Sequence, residues 1–364
     1  MIPQKKCAHD RLLSSLTHTG RKWEMDCPHA FLPYKRTMNR RRLGSSGPEV
    51  SVIGIGNMTW PHCYYGKTPP PGAAEAVDRK EIIQIVSSAL DHGVTLFDTA
   101  EGYGRGFAET LLGDALQAMG RRGEVTLVTK VGPLFAEEQV GGRSCNLSSA
   151  HIRQRCEGSL RRLRVETIDL YLAHHPDPLT PVAETIGTFV ELQREGKIAH
   201  FGVSNFGVPL LTEVLRHGAV VADQLPYSLI QRDIDAALRP FCAEKGVGIM
   251  AFSALGKGIL SGKYDAAHLP PPGDYRYDRF QFGAENLQRH LAIAARCREL
   301  ADGLGITSGQ LALAWALAQP GIGLVLAGAR EPEQIAASAR AGAITLPEEI
   351  LSELNRLTTP APAP

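Results

Sequence analysis

The sequence is short of everything that would staple, anchor or charge it. Its seven cysteines (Cys7, Cys27, Cys63, Cys145, Cys156, Cys242 and Cys297) are scattered, odd in number and form no C-x-x-C pair. That spacing argues against a disulfide framework or a zinc site, and for reduced thiols in a cytoplasmic protein. No apolar run approaches the roughly 20 residues needed to span a bilayer. The first twenty residues carry basic groups but lack the apolar stretch of a secretory signal, so no membrane partner is expected. Charge of one sign is missing too. The 39 basic and 38 acidic residues leave a formal charge of +1, which argues against a nucleic-acid partner held by a net basic field. Also absent is a G-x-G-x-x-G turn after the first strand. The segment there is GIGNMTW, which counts against an open doubly wound sheet.

What is present is core material. Hydrophobic residues make up 43% of the 364, and that length suits one large core better than two small domains. Residues 1–37 show neither helical nor strand periodicity, so they are expected to be a disordered leader or the product of a start codon placed too early. From Met38 the chain reads as folded, and the barrel described next is expected over 38–356, with 357–364 (LTTPAPAP) as a flexible tail. RRRLGSSGPEVSVIGIG predicts a hairpin with a Gly-Ser turn leading into a strand at 51–56. Further β-rich runs follow at 94–98, 125–130, 168–174, 198–204, 220–225, 247–253 and 323–328, eight in all. Segments with apolar residues at helical spacing alternate with them, at 79–93, 108–120, 149–163, 181–196, 208–218, 234–246 and 308–319, and a last helix fits 332–342. Several end in glycine, as a left-handed C-cap requires. Eight alternations imply parallel strands with right-handed crossovers, and so an α/β fold: a closed (β/α)₈ TIM barrel. The stretch 265–305 exceeds the repeat. It reads as a long loop plus an extra helix after strand seven, the form of a lid.

In such a barrel the chemistry sits at the C-terminal ends of the strands. Strand two ends in Asp98, with Tyr103 five residues beyond. Strand three ends in Lys130, strand four in His174, strand five in Ser204 and Asn205, strand six in Gln224, and strand seven in Phe252 and Ser253. His175 follows His174, and strand alternation points the two oppositely. The pattern alone leaves open which one faces the site.

The motifs FDTAEGYG, VTK, IDLYLAHHPD, GKIAHFGVSNF and LAGAREPEQ resemble the aldo-keto reductases over roughly residues 38 to 350. The lid with GDYR is most similar to the bacterial branch of inositol-operon and general-stress reductases. The resemblance implies a catalytic tetrad of Asp98, Tyr103, Lys130 and His174. Tyr103 would be the general acid in carbonyl reduction, with an ordinary phenol pKa of about 10 lowered by Lys130. Asp98 would hold Lys130 charged, and His174 would orient the carbonyl oxygen. A nicotinamide cofactor carries the hydride, so no metal is required.

The same resemblance gives Ser204, Asn205 and Gln224 to the nicotinamide carboxamide and Phe252 to stacking on its ring. Gly56, Asn57, Met58 and Asp98 complete that end. Ser253, Leu255, Gly256 and Gly258 would form a backbone cradle for the pyrophosphate, with Lys263 and Arg276 supplying charge. Gly328, Arg330 and Gln334 fall at the adenosine end, where Arg330 could grip a 2′-phosphate by its fork. Glu331 beside it departs from the family pattern, as do Ala337 and Ser338. NADP(H) is the favoured cofactor and NAD(H) the second choice. Trp60, Phe135, Leu134, Tyr103 and His174 would line the substrate pocket, with Tyr275, Tyr277 and Phe280 closing over it from the lid. The expected substrates are aldehydes, ketones or sugars, and the expected state is a monomer. Two alternatives stand beside this: a non-catalytic NADP(H)-binding regulatory barrel resembling channel-associated subunits, and an isomerase or aldolase using Lys130 as a Schiff-base nucleophile.

Overall fold

The computed structural model describes residues 38–64, 72, 76–271, 274, 276–277 and 279–358. The expectations for 1–37 and Tyr275, and for the tail beyond Thr358, lie outside them. The chain opens with an antiparallel hairpin, β1 (Arg40–Arg42) and β2 (Glu49–Ser51). Eight parallel strands then close a barrel: β3 (Ile53–Gly56), β4 (Leu96–Asp98), β5 (Thr126–Val131), β6 (Ile168–Ala173), β7 (Ile198–Ser204), β8 (Ala222–Pro226), β9 (Gly248–Phe252) and β10 (Ile322–Gly328). β10 pairs back onto β3, so no edge is left open. The run expected as one strand at 51–56 is split, because Ser51 finishes the hairpin and turns its hydroxyl onto the Ile53 carbonyl at 2.7 Å.

Helices follow the strands: α1 (Arg79–Asp91), α2 (Phe107–Met119), α3 (Ser149–Leu163), α4 (Val182–Arg194), α5 (Val208–His217), α6 (Leu238–Lys245), α7 (Ala284–Gly303) and α8 (Ser308–Ala318) before β10, and α9 (Pro332–Ala341) and α10 (Glu348–Thr358) after it. α1 shows why they form. Asp78 caps it by accepting from the Lys80 amide, and Ile82, Ile85, Val86, Ala89 and Leu90 bury one stripe. Gly93, Gly120, Gly196 and Gly246 take the left-handed conformation expected after helices, whereas Gly218 and Gly342 do not. Arg164 takes it without being glycine, at φ 56°. α6 is shorter than the expected 234–246, beginning only at Leu238. α7 is the extra helix after strand seven. α10 was not foreseen, and it carries the fold through Leu357 and Thr358, which sequence reading gave to the tail.

Period-two alternation sorts the strands' side chains into two layers. Outward residues such as Ile53, Leu127, Val203 and Ile249 pack beneath the helices. Inward residues begin apolar, with Leu96, Val128, Leu170, Ala222, Met250 and Leu324 around Leu43 of the hairpin, which plugs the lower mouth. Gly54 leaves room for this layer, since a Cβ there would stand 2.6 Å from Leu96 Cδ2 and 2.8 Å from Leu326 Cδ2. Two residues further up the same inward faces the chain changes character: Leu96 gives way to Asp98, Val128 to Lys130 and Ala222 to Gln224. The fold thus lifts a polar layer onto an apolar one.

Candidate active site

Lys130 is fully buried, and its ammonium donates three ways: to Asp98 Oδ2 at 2.7 Å, to the Thr99 carbonyl at 2.7 Å and to the Tyr103 hydroxyl at 3.3 Å. Gln224 Nε2 donates to the other Asp98 oxygen at 2.7 Å. The two carboxylate oxygens therefore each receive an N–H, which is what an anion removed from water requires. Burial pushes the Asp98 carboxyl up and the Lys130 ammonium down, and each charge pushes back on the other. With both oxygens so bound, the pair is ionic. An ammonium tied to a carboxylate lacks the deprotonated amine that a Schiff base needs, which counts against the aldolase alternative.

Tyr103 comes to this ammonium along a tight loop. Gly104 takes φ 56°, and a Cβ there would meet the His62 carbonyl at 2.6 Å. The direction of the phenol's pKa is opposite to the lowering by Lys130 that the resemblance implies. Burial, reinforced by the Asp98 charge, holds it well above the usual phenol range. It stands as a protonated donor with a cation beside its oxygen.

The His174 ring lies edge-on to Tyr103, with centroids 5.8 Å apart. Burial holds the imidazole well below its usual range, helped by Lys130 and His175, so it is neutral. His175 does not point the other way. β6 ends at Ala173, so alternation no longer governs the two histidines, and their rings stack 4.9 Å apart with 5° between planes. Asn205, at φ 64°, locks them from the neighbouring strand. Its Nδ2 donates to the His174 carbonyl at 3.1 Å and Ser204 Oγ at 3.0 Å, and lies 3.3 Å from His175 Nδ1. Ser204 Oγ in turn donates to the Gln224 carbonyl at 2.9 Å. Phe252 is half-buried at the top of β9, against the inner apolar layer. Asn57 is buried, with its amide on the Asp98 carbonyl and its Nδ2 on that of Ala108. Gly56 opens onto free space and Met58 is half-buried.

The loop after β9 turns through four positive-φ residues, Ser253, Gly256, Lys257 and Gly258. The Gly256 and Gly258 amides already donate within the turn, to Ser253 and Leu255, so they are not the open cradle expected. What the loop gathers is charge. A Cβ on Gly258 would stand 2.6 Å from Lys263 Cε. The Lys263 ammonium lies 4.8 Å from the Tyr264 ring centre and the Arg276 guanidinium 5.7 Å. Burial, with Arg276 and Arg330 nearby, lowers the Lys263 pKa. Asp274 pairs with Arg276 at 2.5 Å. Arg330 does not hold an open fork. It donates to the Thr59 carbonyl at 3.1 Å and to Tyr64 OH at 2.5 Å, across a cavity of about 130 Å³ also lined by Glu81 and Ile82. Gln334 Oε1 accepts the Arg330 amide while its Nε2 reaches Glu331. Gly328 is exposed beside Thr59.

The expected pocket wall is the part the structure revises most. Trp60 is a core residue, 0% exposed. Phe135 is clasped by two guanidiniums, Arg105 at 4.2 Å and Arg155 at 5.3 Å from its ring centre. Leu134 is half-buried with its amide on the Ser144 carbonyl. Tyr277 and Phe280 are about half exposed, and Phe280 packs on His290 instead. The Thr99 carbonyl on Lys130 has no counterpart among the expected site residues, because a backbone contact leaves no trace in side-chain identity.

The sequence model of the Aldo/keto reductase family matches residues 52–358. A similar relative is the aldo-keto reductase YhdN of Bacillus subtilis, 31% identical over 321 residues that cover 88% of this chain and 93% of that protein. Among solved structures, the glycerol dehydrogenase AKR11B4 from Gluconobacter oxydans aligns with a TM-score of 0.76 at 28% identity, covering 89% of this chain and 97% of that one. An aldo-keto reductase from Klebsiella pneumoniae in complex with NADPH aligns with a TM-score of 0.68 at 30% identity, over 90% and 98% of the two chains.

Proposed function

The chain belongs to the aldo/keto reductase family, and we propose that within it the protein reduces the carbonyl of an aldehyde, ketone or sugar at the expense of NADPH, with Tyr103 as the proton donor. One observation carries this reading: the Tyr103 hydroxyl lies 3.3 Å from an ammonium that is itself tied to Asp98, with the His174 ring edge-on beside it.

A nicotinamide cofactor fits the residues present. Ser204, Asn205 and Gln224 form a linked polar trio beside the half-buried Phe252 ring, suited to an amide-bearing aromatic ring. Lys263, Arg276 and Arg330 gather positive charge further out, where phosphates would lie. When bound, the dihydronicotinamide supplies the hydride. The protein's part is to hold the carbonyl oxygen between the Tyr103 hydroxyl and the neutral His174 ring, and to give that oxygen the phenolic proton as negative charge develops on it. Lys130 then stabilises the phenolate left behind, and Asp98 keeps Lys130 charged. A third cation near the phosphate end favours NADPH over NADH, although Glu331 and the present engagement of Arg330 reduce the margin. We take the protein as a cytoplasmic monomer.

Fluorescence titration with NADPH and NADH, followed by NADPH oxidation over a panel of aldehydes, ketones and sugars, tests the reading. We expect tighter binding of NADPH and turnover with at least one class of carbonyl. Tight binding without turnover of any would replace the enzyme by a cofactor-sensing barrel.

A further inference from the structure

The Arg330 guanidinium, two residues past the end of β10, is turned onto the loop that follows β3. Its Nε donates to the Thr59 carbonyl at 3.1 Å and its Nη2 to the Tyr64 hydroxyl at 2.5 Å. Nε and Nη2 form one edge of the guanidinium, the edge that takes two oxygens of a single phosphate or carboxylate side by side. Here a carbonyl and a phenol fill both places. The loop therefore offers Arg330 the same oxygen pair that a phosphate would.

Both acceptors are fixed. Trp60 and Cys63, which lie between them in the chain, are 0% exposed. The Trp60 amide donates to the Asn57 carbonyl and the Cys63 amide to that of Trp60. The Tyr64 carbonyl accepts from the Gly104 amide at 3.3 Å, next to Tyr103. On the other side, Ala329 is buried and Gln334 Oε1 accepts the Arg330 amide at 3.0 Å, so the Arg330 backbone is held as well. Only the Arg330 side chain is left to move, and it is exposed. Its departure would not strand the phenol. Both residues line a cavity of about 130 Å³, and a water that replaces the guanidinium needs only about 15 Å³ of such space.

We propose that Tyr64 is a specificity-determining residue for the cofactor: its hydroxyl, with the Thr59 carbonyl, competes with a 2′-phosphate for the Arg330 guanidinium and so narrows the preference for NADPH over NADH. This rests on the reading that Arg330 meets the 2′-phosphate of a bound NADPH. A ligand that needs the guanidinium free binds more weakly by the fraction of molecules in which it is free. NADH carries no 2′-phosphate and makes no such demand, so the penalty falls on NADPH alone.

The experiment measures binding without turnover: NADPH and NADH by fluorescence, and adenosine 2′,5′-bisphosphate by calorimetry, on wild type, Tyr64→Phe, Arg330→Leu and the double variant. Phe keeps the ring that lies 5.8 Å from the guanidinium carbon and removes only the hydroxyl. We expect Tyr64→Phe to bind NADPH and the bisphosphate about fivefold more tightly, the worth of one partly solvated hydrogen bond, with NADH within about 1.5-fold of wild type. On the Arg330→Leu background the same change should move NADPH affinity by less than about 1.5-fold. Unchanged NADPH affinity in Tyr64→Phe overturns the proposal. So does weaker binding, in which case the hydroxyl helps to hold the phosphate. An equal gain for NADPH and NADH, or the full gain without Arg330, marks a structural effect of the loop and overturns it too. If Arg330→Leu keeps the wild-type ratio of NADPH to NADH affinity, the placing of the 2′-phosphate at Arg330 fails instead, so the two failures are distinguishable.

Discussion

Thr129 and Lys130 are neighbours on β5, and they face two buried carboxylates on opposite sides of the barrel wall. Outside, Glu109 of α2 accepts from Thr129 Oγ1 at 2.6 Å and from Arg162 Nε at 2.7 Å. Inside, Asp98 accepts from Lys130 and Gln224, each at 2.7 Å. Both carboxylates are almost wholly buried and both are satisfied twice. By charge and hydrogen bonding the two carboxylates are nearly equivalent, although Lys130 is fully buried and Arg162 is about a third exposed. They differ in what the cation does with the rest of its donors. Arg162 spends another on Ser159 Oγ of its own helix, whereas Lys130 turns a proton toward a phenol at the open end of the barrel. A buried ion pair is therefore no mark of function. A third donor aimed at a protonated acid is.

The comparison breaks first at the phenol. Tyr103→Phe removes the proton donor and nothing that holds the fold, so kcat should fall by about 10³-fold while NADPH affinity and Tm change little. A variant that turned over at the wild-type rate would place the proton donor elsewhere. The next cut sets the two pairs against each other. Lys130→Met strands Asp98 with one partner in the interior, and should cost roughly 3 kcal/mol of stability as well as at least about 10²-fold in kcat. Arg162→Met strands Glu109 in the same way. Because Arg162 is about a third exposed, the stability loss should be smaller, about 2 kcal/mol, and kcat at a permissive temperature should stay within about twofold. Thermal unfolding and steady-state rates on the same samples check both. A large fall in kcat from Arg162→Met would join the outer pair to the site.

The strands and their order were legible because period-two runs alternate with helical ones, and the C-terminal ends of those runs single out Asp98, Lys130 and Gln224 by position alone. The hairpin register and α10 were less so. α10 follows a loop of only a few residues, and in the sequence a Pro-rich stretch comes directly after it, which hid its periodicity. The histidines show a firmer limit. The alternation rule was sound for β6, but the strand stops at Ala173, one residue before it was needed. Backbone contacts such as the Thr99 carbonyl on Lys130 carry no residue identity at all. The pocket wall failed for another reason. Whether an aromatic faces a cavity or an arginine is a packing outcome, and Phe135 found Arg105 and Arg155.

A third carboxyl sharpens the contrast by lacking what the other two have. Glu101 lies two residues before Tyr103, 1% exposed, with the Arg155 Nε at 3.6 Å and the Gly132 amide at a long 3.5 Å from its two oxygens. Burial raises its pKa to about 8, with Arg155 opposing and Glu109 reinforcing. A carboxyl raised in the folded state binds more protons there than in the unfolded chain between about pH 4.5 and 8. Its stability contribution is therefore complete below the unfolded value and lost as pH rises through the folded one. Replacing it with Gln, which cannot ionise, should leave Tm nearly unchanged at pH 5 and raise it relative to wild type at pH 9. The gain corresponds to a few kcal/mol at most, on the order of the shift converted at about 1.4 kcal/mol per unit. Equal Tm differences at pH 5 and pH 9 would mean that Arg155 holds Glu101 ionised throughout. Glu101 would then belong with Asp98 and Glu109 as a third satisfied anion, and the distinction between the carboxyls would rest on Tyr103 alone.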